Sequence, residues 1–145
     1  MIELKPITKS NFEDVINLSV REEQEAFVSS NAFSLAQAYV YKDTAFPFAV
    51  YADGAAVGFI MLGYFEERDQ YTLWKFMIDK RFQGMGFGKE ALRLGINYLK
   101  DVHGAKEVYT GVVPENETAK RLYRSVGFRE TGLFENNMIE MKYIC

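Results

Sequence analysis

Cysteine, histidine and tryptophan are nearly missing from this chain, with one of each in 145 residues. The single cysteine, Cys145, is the terminal residue, so no internal disulfide can form and a reducing compartment suits the chain. His103 has no cysteine or histidine near it in sequence, which leaves no spaced set of metal ligands. Its position before Gly104 reads instead as the last turn and cap of a helix. No apolar run is long enough to span a bilayer, and Met1–Pro6 lacks an apolar core of signal-peptide length. The expected location is the cytoplasm, with no membrane partner. A basic excess is absent too. The formal net charge is −3, which argues against a nucleic-acid partner and is compatible with a cationic one. Repeats, linkers and low-complexity segments are also missing.

What is present is the composition of a soluble globular domain, 48% apolar and 26% charged. One domain over residues 1–145 is expected. Residues 2–7 alternate as a strand. Ser10 with Glu13 reads as a capping box ahead of a helix stripe of Phe12, Val15, Ile16 and Val20. The acidic run Arg21-Glu22-Glu23-Gln24-Glu25 reads as a solvated helix end, with a substrate role as the alternative. Residues 34–41 read as a short helix capped by Ser34 or Asn31. Strands follow at 46–52 and 55–65, joined by the turn Asp53-Gly54. The unbroken apolar character of the second implies burial on both faces.

Residues 71–102 organise the chain. Residues 71–78 are rich in β-branched and aromatic types and read as a strand. Leu92, Gly95, Ile96 and Leu99 mark one face of a helix from Gly88 to Val102. Between them, Gly84, Gly86 and Gly88 alternate with Met85 and Phe87. Glycines there let backbone N–H groups approach a ligand closely, and the helix N-terminus adds partial positive charge. The ligand expected is a phosphate. A Walker loop is excluded because Gly88-Lys89 is followed by Glu90 and the required earlier glycine is Gln83. A dinucleotide fingerprint fits Gly86-x-Gly88-x-x-Ala91, but it belongs directly after its strand and residues 79–85 intervene. Past this helix come a strand at 107–113, a turn at Pro114-Glu115-Asn116, a helix with Ala119, Leu122, Tyr123 and Val126 on one face, and two strands split by Asn136-Asn137. The order implies one mixed α/β sheet with a right-handed parallel crossover from 71–78 to 107–113.

Gln83-x-x-Gly86-x-Gly88 resembles the pyrophosphate loop of the GNAT superfamily of N-acetyltransferases. Asn116-x-x-Ala119-x-x-Leu122-Tyr123-x-x-x-Gly127-Phe128 resembles that family's second signature. The element order is similar over nearly the whole chain. Trp74-Lys75-Phe76-Met77-Ile78-Asp79 and Gln24-x-x-Phe27-Val28-x-x-Asn31-x-x-Ser34-Leu35 resemble the bacterial spermine/spermidine acetyltransferases within it. The resemblance implies a seven-stranded, mostly antiparallel α/β (α+β) sheet with helices on both faces and a parallel crossover after the fourth strand.

It also implies acetyl-coenzyme A as co-substrate, with no metal. Gln83, Gly84, Met85, Gly86, Phe87, Gly88 and Lys89 would hold the pyrophosphate. Phe76, Met77 and Ile78 would pair with the pantetheine arm, with a backbone N–H near Met77 for the oxyanion. Asn116 would touch the coenzyme, although alone it reads as a helix cap. Tyr123 reads from its apolar helix face as a core residue, and the resemblance makes it the acid that protonates the leaving thiolate. Many relatives carry a glutamate base on the fourth strand where this chain has Trp74, so the base is open among Glu23, Glu25, Glu66 and Glu67. Glu23, Glu25, Glu66 and Trp74 are the candidates for the amine site, Trp74 by cation–π contact. The acceptor expected is a small polyamine. The alternatives are another amine (an aminoglycoside, an amino acid or a protein N-terminus) or a non-catalytic acyl-coenzyme A binding module. Relatives are often dimers, and the apolar terminal hairpin makes a homodimer an expectation here.

Overall fold

In a computed structural model, all 145 residues are described. The long apolar run is one strand, β3 (Ala55–Phe65), buried from Val57 to Gly63. Side chains alternate across a strand. Ile60 and Leu62 therefore enter a large core on one face, while Phe59 and Met61 enter a smaller core on the other. Both faces are covered, so polar alternation is missing.

Around β3 lie β1 (Ile2–Lys5), β2 (Ala45–Ala52), β4 (Gln70–Ile78), β5 (Glu107–Val112), β6 (Arg129–Glu135) and β7 (Met138–Ile144). They form one sheet in the order β1-β2-β3-β4-β5-β7-β6, and only β4 and β5 run parallel. Helices α3 (Phe87–His103) and α4 (Glu117–Val126) border the large core. Helices α1 (Phe12–Ile16) and α2 (Asn31–Val40) border the small one. The expected class, order and crossover are all present. No helix is long and apolar enough to cross a membrane.

Local expectations fail where side chains find nearer partners. The Ser10–Glu13 capping box does not form. Asn11 holds the N-cap position, and its carboxamide instead accepts from Thr8 N at 2.7 Å and donates to Pro6 O at 3.0 Å. Ser10 pairs with the Thr8 hydroxyl at 2.8 Å. Helix α1 stops at Ile16, and Val20 reaches the small core from irregular backbone. The cap of α2 is Ser30, whose hydroxyl accepts from Phe33 N at 3.1 Å, while Asn31 and Ser34 turn inward and are buried. His103 behaves as expected in the last turn of α3, before Gly104 at φ 70°. Its ring also stacks on Phe46 at 4.3 Å.

Two irregularities of β4 shape its surroundings. Met61 pairs with Lys75 and Leu62 with Leu73, so Trp74 is the extra residue of a β-bulge. The bulge turns Trp74 and Lys75 to the same face, the α2 side, where Trp74 packs against the small core. Trp74 lies across Gly63, where a Cβ would collide with the indole ring. Glycine is needed there for that close approach. Gly63→Ala is expected to displace the indole and cost about 1–3 kcal/mol, as overpacking does. The shift in urea midpoint at constant m-value measures it, and an unmoved midpoint refutes the packing argument.

Candidate active site

The second irregularity opens the site. β4 and β5 pair only at Tyr71–Val108 and Thr72–Tyr109. Beyond these two pairs, residues 73–78 face a cleft of about 1610 Å³ rather than a neighbouring strand. Strand N–H and C=O groups alternate in direction. Asp79 N donates to Val57 O of β3 at 2.8 Å, and a Cβ on Gly58 would meet Met77 O at 2.5 Å. Met77 and Asp79 therefore turn their polar groups to β3, and Phe76 and Ile78 turn theirs to the cleft. The cleft-facing N–H lies at Phe76, one residue before the expected position near Met77. The bulge at Trp74 sets this phase.

At the C-terminal end of β4 the chain makes a short 3-10 turn, Lys80–Phe82, and then the glycine loop. Gly84 and Gly86 have φ of 81° and 83°, and a Cβ on either would meet nothing within 4 Å. The space over them is open to a ligand. Gly88 differs. It sits in the first turn of α3 with ordinary φ, and a Cβ there would touch Leu122 and Phe76 at 3.6 Å. No N–H from Gly84 to Lys89 has a hydrogen-bond partner in the protein. Six unpaired donors at the positive end of a 17-residue helix make an anion site.

Two polar clusters fix this loop. Gln83 Nε2 donates to Ile78 O and to Gln24 Oε1, both at 2.9 Å, and Gln24 Nε2 donates back to Gln83 Oε1 at 3.2 Å. The Gln83 amide is thus engaged within the fold, where it anchors the start of the glycine loop. Asp79 is buried and accepts from Ser19 N at 2.9 Å and from Arg81 N and Nε at 3.0 and 2.8 Å. Burial raises its pKa, but these hydrogen bonds outweigh it and hold the carboxyl below its usual range.

Tyr123 projects from α4 into the cleft wall and is 9% exposed. Burial pushes its hydroxyl up to about 12, against a smaller opposing effect of the Thr110 hydroxyl. The phenol is therefore a proton donor throughout the physiological range. Asn116 caps α4, its Oδ1 accepting from Ala119 N at 3.2 Å, and it lines the cleft as well.

Of the other candidates, Trp74, Glu66, Glu67, Phe87 and Lys89 reach the cleft wall, and Met85 is exposed off it. Glu23 and Glu25 lie in a 3-10 helix, Glu22–Phe27. Its three-residue turn puts Gln24 and Phe27 inside and leaves both glutamates facing solvent, off the cleft wall. Residues missed from the sequence are Gln24, Tyr41 and Lys75. The spacing of Gln24 and Phe27 was a visible signal, whereas the bulge that turns Lys75 inward leaves none.

Comparison with known proteins agrees with this geometry. The model of the acetyltransferase (GNAT) family matches residues 12–128. The chain is 32% identical over 145 residues to a spermine/spermidine N(1)-acetyltransferase of Bacillus subtilis (strain 168), covering 94% of this chain and 93% of that one. A spermidine N-acetyltransferase from Vibrio cholerae, solved with CoA and spermine, superposes with TM-score 0.77 at 19% identity over 99% and 95% of the two chains. An aminoglycoside acetyltransferase solved with coenzyme A superposes with TM-score 0.81 at 14% identity over 99% and 95%. Glycine loop, parted strands and buried tyrosine thus stand in a chain that belongs to the GNAT acetyltransferase family and is an acetyl-coenzyme A-dependent N-acetyltransferase.

Proposed function

We propose that the acceptor is a primary amine of a small polyamine, spermine or spermidine, and that it attacks the thioester directly. The observation that carries this reading is the near full-length match to the Bacillus spermine/spermidine enzyme. The charge layout of the cleft supports it. Glu66 and Glu67 line the cleft where β4 begins, and neither is tied to a cation. Arg68 is held instead by Glu135 at 2.7 Å and Glu140 at 3.6 Å. Free carboxylates at one end suit the distal ammonium of a long polycation. Trp74 and Tyr41, edge to face at 6.0 Å, give an aromatic wall on the way in.

Each group then has a task. The N–H groups of residues 84–89 hold the pyrophosphate, and the open edge of Phe76 and Ile78 pairs with the amide-containing arm of the coenzyme. The Phe76 N–H stabilises the oxyanion that forms on the thioester carbonyl. Tyr123 protonates the departing thiolate, which has a basicity similar to that of an ordinary phenol. Because Tyr123 is weakened as an acid by burial, proton transfer has to occur as C–S cleavage raises the negative charge on sulfur.

Gly86→Val places a β-branched residue at φ 83°. It is expected to weaken acetyl-coenzyme A binding at least about tenfold in a folded protein. An unchanged dissociation constant by calorimetry removes the pyrophosphate assignment. Tyr123→Phe is expected to lower kcat about 10- to 1000-fold with little change in coenzyme affinity. Since the phenol of the free protein is raised to about 12, its loss of a proton is not expected to produce an alkaline fall in kcat/KM below about pH 11. Such a fall, abolished in Tyr123→Phe, contradicts the burial argument. The acceptor is tested by thiol release with spermine, spermidine, a monoamine and an aminoglycoside. Polyamine turnover well above the others is expected, and equal or lower polyamine turnover refutes the acceptor while leaving acetyl transfer intact.

A further inference from the structure

Lys75 carries a charge that nothing around it neutralises. Its side chain leaves β4 beside the bulge, on the α2 face, and lines the cleft. Nζ donates to Ser29 Oγ at 3.1 Å and lies 5.8 Å from the centre of the Phe33 ring. It forms no ion pair. Helix α2, which faces it, contains no charged residue, and β2 and β3 contribute only Tyr51 and Tyr64 as titratable groups. From the 3-10 segment before α2, the glutamates face solvent and only Arg21, a like charge, reaches the cleft wall beside Gln24. The cleft carboxylates lie elsewhere, Glu66 and Glu67 before β4, and Glu135 and Glu140 on Arg68. Burial alone draws the Lys75 ammonium below the usual lysine pKa.

The reaction needs a free amine lone pair, yet an alkylammonium has a pKa of about 10. No carboxylate from α2, β2 or β3 stands beside Lys75 to take its proton. We propose that the Lys75 ammonium lowers the proton affinity of the acceptor nitrogen by like-charge repulsion, so that the amine gives its proton to water inside the cleft and attacks as the free base. The inference rests on the acetyl-transfer reading of this site. Lys75 acts through space and is a specificity-determining residue rather than a proton carrier. The hydrogen bond to Ser29 Oγ and the Phe33 ring favour the ammonium form of Lys75 against the burial that lowers its pKa, and the proposed role requires that Lys75 stay charged while the substrate gives up its proton.

The steps balance. One proton goes from the ammonium to water, and the nitrogen lone pair forms the C–N bond. As the C–S bond breaks, the sulfur takes its electron pair and the Tyr123 proton. The nitrogen then loses its second proton, which restores Tyr123 through solvent. With the thioester carbonyl at the Phe76 N–H, as proposed above, the reacting nitrogen of the proposed complex lies beside the residue that Lys75 directly precedes, within several ångströms of its charge. At an effective dielectric constant between protein and water values, that separation corresponds to a shift of about one pH unit. The same charge discourages a second ammonium nearby and directs it toward Glu66 and Glu67. Gln70, beside them, lies five residues back along β4, about 16 Å. The substrate class is therefore a long amine with its reacting nitrogen near Lys75 and its other charge near the start of β4.

The test is the pH dependence of kcat, which reports ionisations in the enzyme–substrate complex. Spermidine is the probe, with wild type, Lys75→Met, Lys75→Gln and Lys75→Arg compared. Lys75→Met and Lys75→Gln are expected to move the acidic limb up by about one pH unit and to lower kcat near neutrality about tenfold. The KM for spermidine is expected to fall in both, because repulsion of the bound cation is gone. A purely structural role would raise KM and leave the limb in place. Lys75→Arg keeps the charge and is expected to keep the wild-type limb. An unmoved limb in the folded neutral variants overturns the proposal. A limb that moves in Lys75→Arg as it does in Lys75→Met also overturns it, by making Lys75 a proton acceptor. Absence of amine-dependent thiol release from the wild type would overturn the transfer reading itself, and is thus distinguishable from failure of the charge argument.

Discussion

The site depends on one interruption of hydrogen bonding. β4 and β5 exchange parallel ladder bonds over two residue pairs and then part. A strand edge left unpaired inside a protein is costly unless something else satisfies it. Here the exposed edge of Phe76 and Ile78 is the part of the fold that a peptide-like ligand can complete. Ile78 O already has its partner in Gln83 Nε2 at 2.9 Å. The geometry therefore couples two needs, because the carbonyl that ends the open edge also fixes the residue that starts the glycine loop.

That coupling extends across the cleft. Gln83 pairs reciprocally with Gln24, which also accepts from Arg21 N at 3.0 Å. Asp79 ties Ser19 to the end of β4, and Lys80 N returns a bond to Ser19 O at 2.8 Å. The segment leading toward α2 is thereby fastened to the strand end that launches the anion-binding loop. The two polar links join the segment before α2 to the glycine loop, and neither is exposed enough for water to replace it cheaply. A loop of glycines on its own would sample many conformations. Anchored at Gln83 and capped by α3, it presents its donors together.

The architecture was legible because patterning and covering layers agree. The unbroken apolar run of β3 announces two covered faces, and Phe59 and Ile60 enter opposite cores accordingly. The glycine loop was legible because Gly84 and Gly86 occupy positive φ, which few other residues tolerate. Gly88 looked equivalent in sequence but serves packing, since spacing does not reveal φ. The bulge at Trp74 was invisible for a similar reason. A bulge changes which residues share a face without changing composition, so Lys75 and the cleft-facing N–H of Phe76 could not be assigned. Glu23 and Glu25, candidates for the amine site, face solvent because a 3-10 turn, not an α-helical one, decides which residues of that run face inward.

The acceptor cannot be read from the fold. Enzymes named for spermidine and for aminoglycosides superpose on this chain about equally well. What distinguishes acceptors therefore lies in the side chains set on the shared fold rather than in the fold itself. This chain sets Lys75, without an ion-pair partner, beside the open edge on the α2 face, and two carboxylates without ion-pair partners in the cleft before β4. In the proposed complex this arrangement is a gradient along one strand, cationic where the reacting nitrogen would be neutral and anionic where a distant ammonium would stay charged. A single acidic pocket would bind a polycation more tightly and hold its reacting amine protonated, which favours the ground state over the transition state. Separating the two charges along β4 lets attraction act on the part of the substrate that does not react.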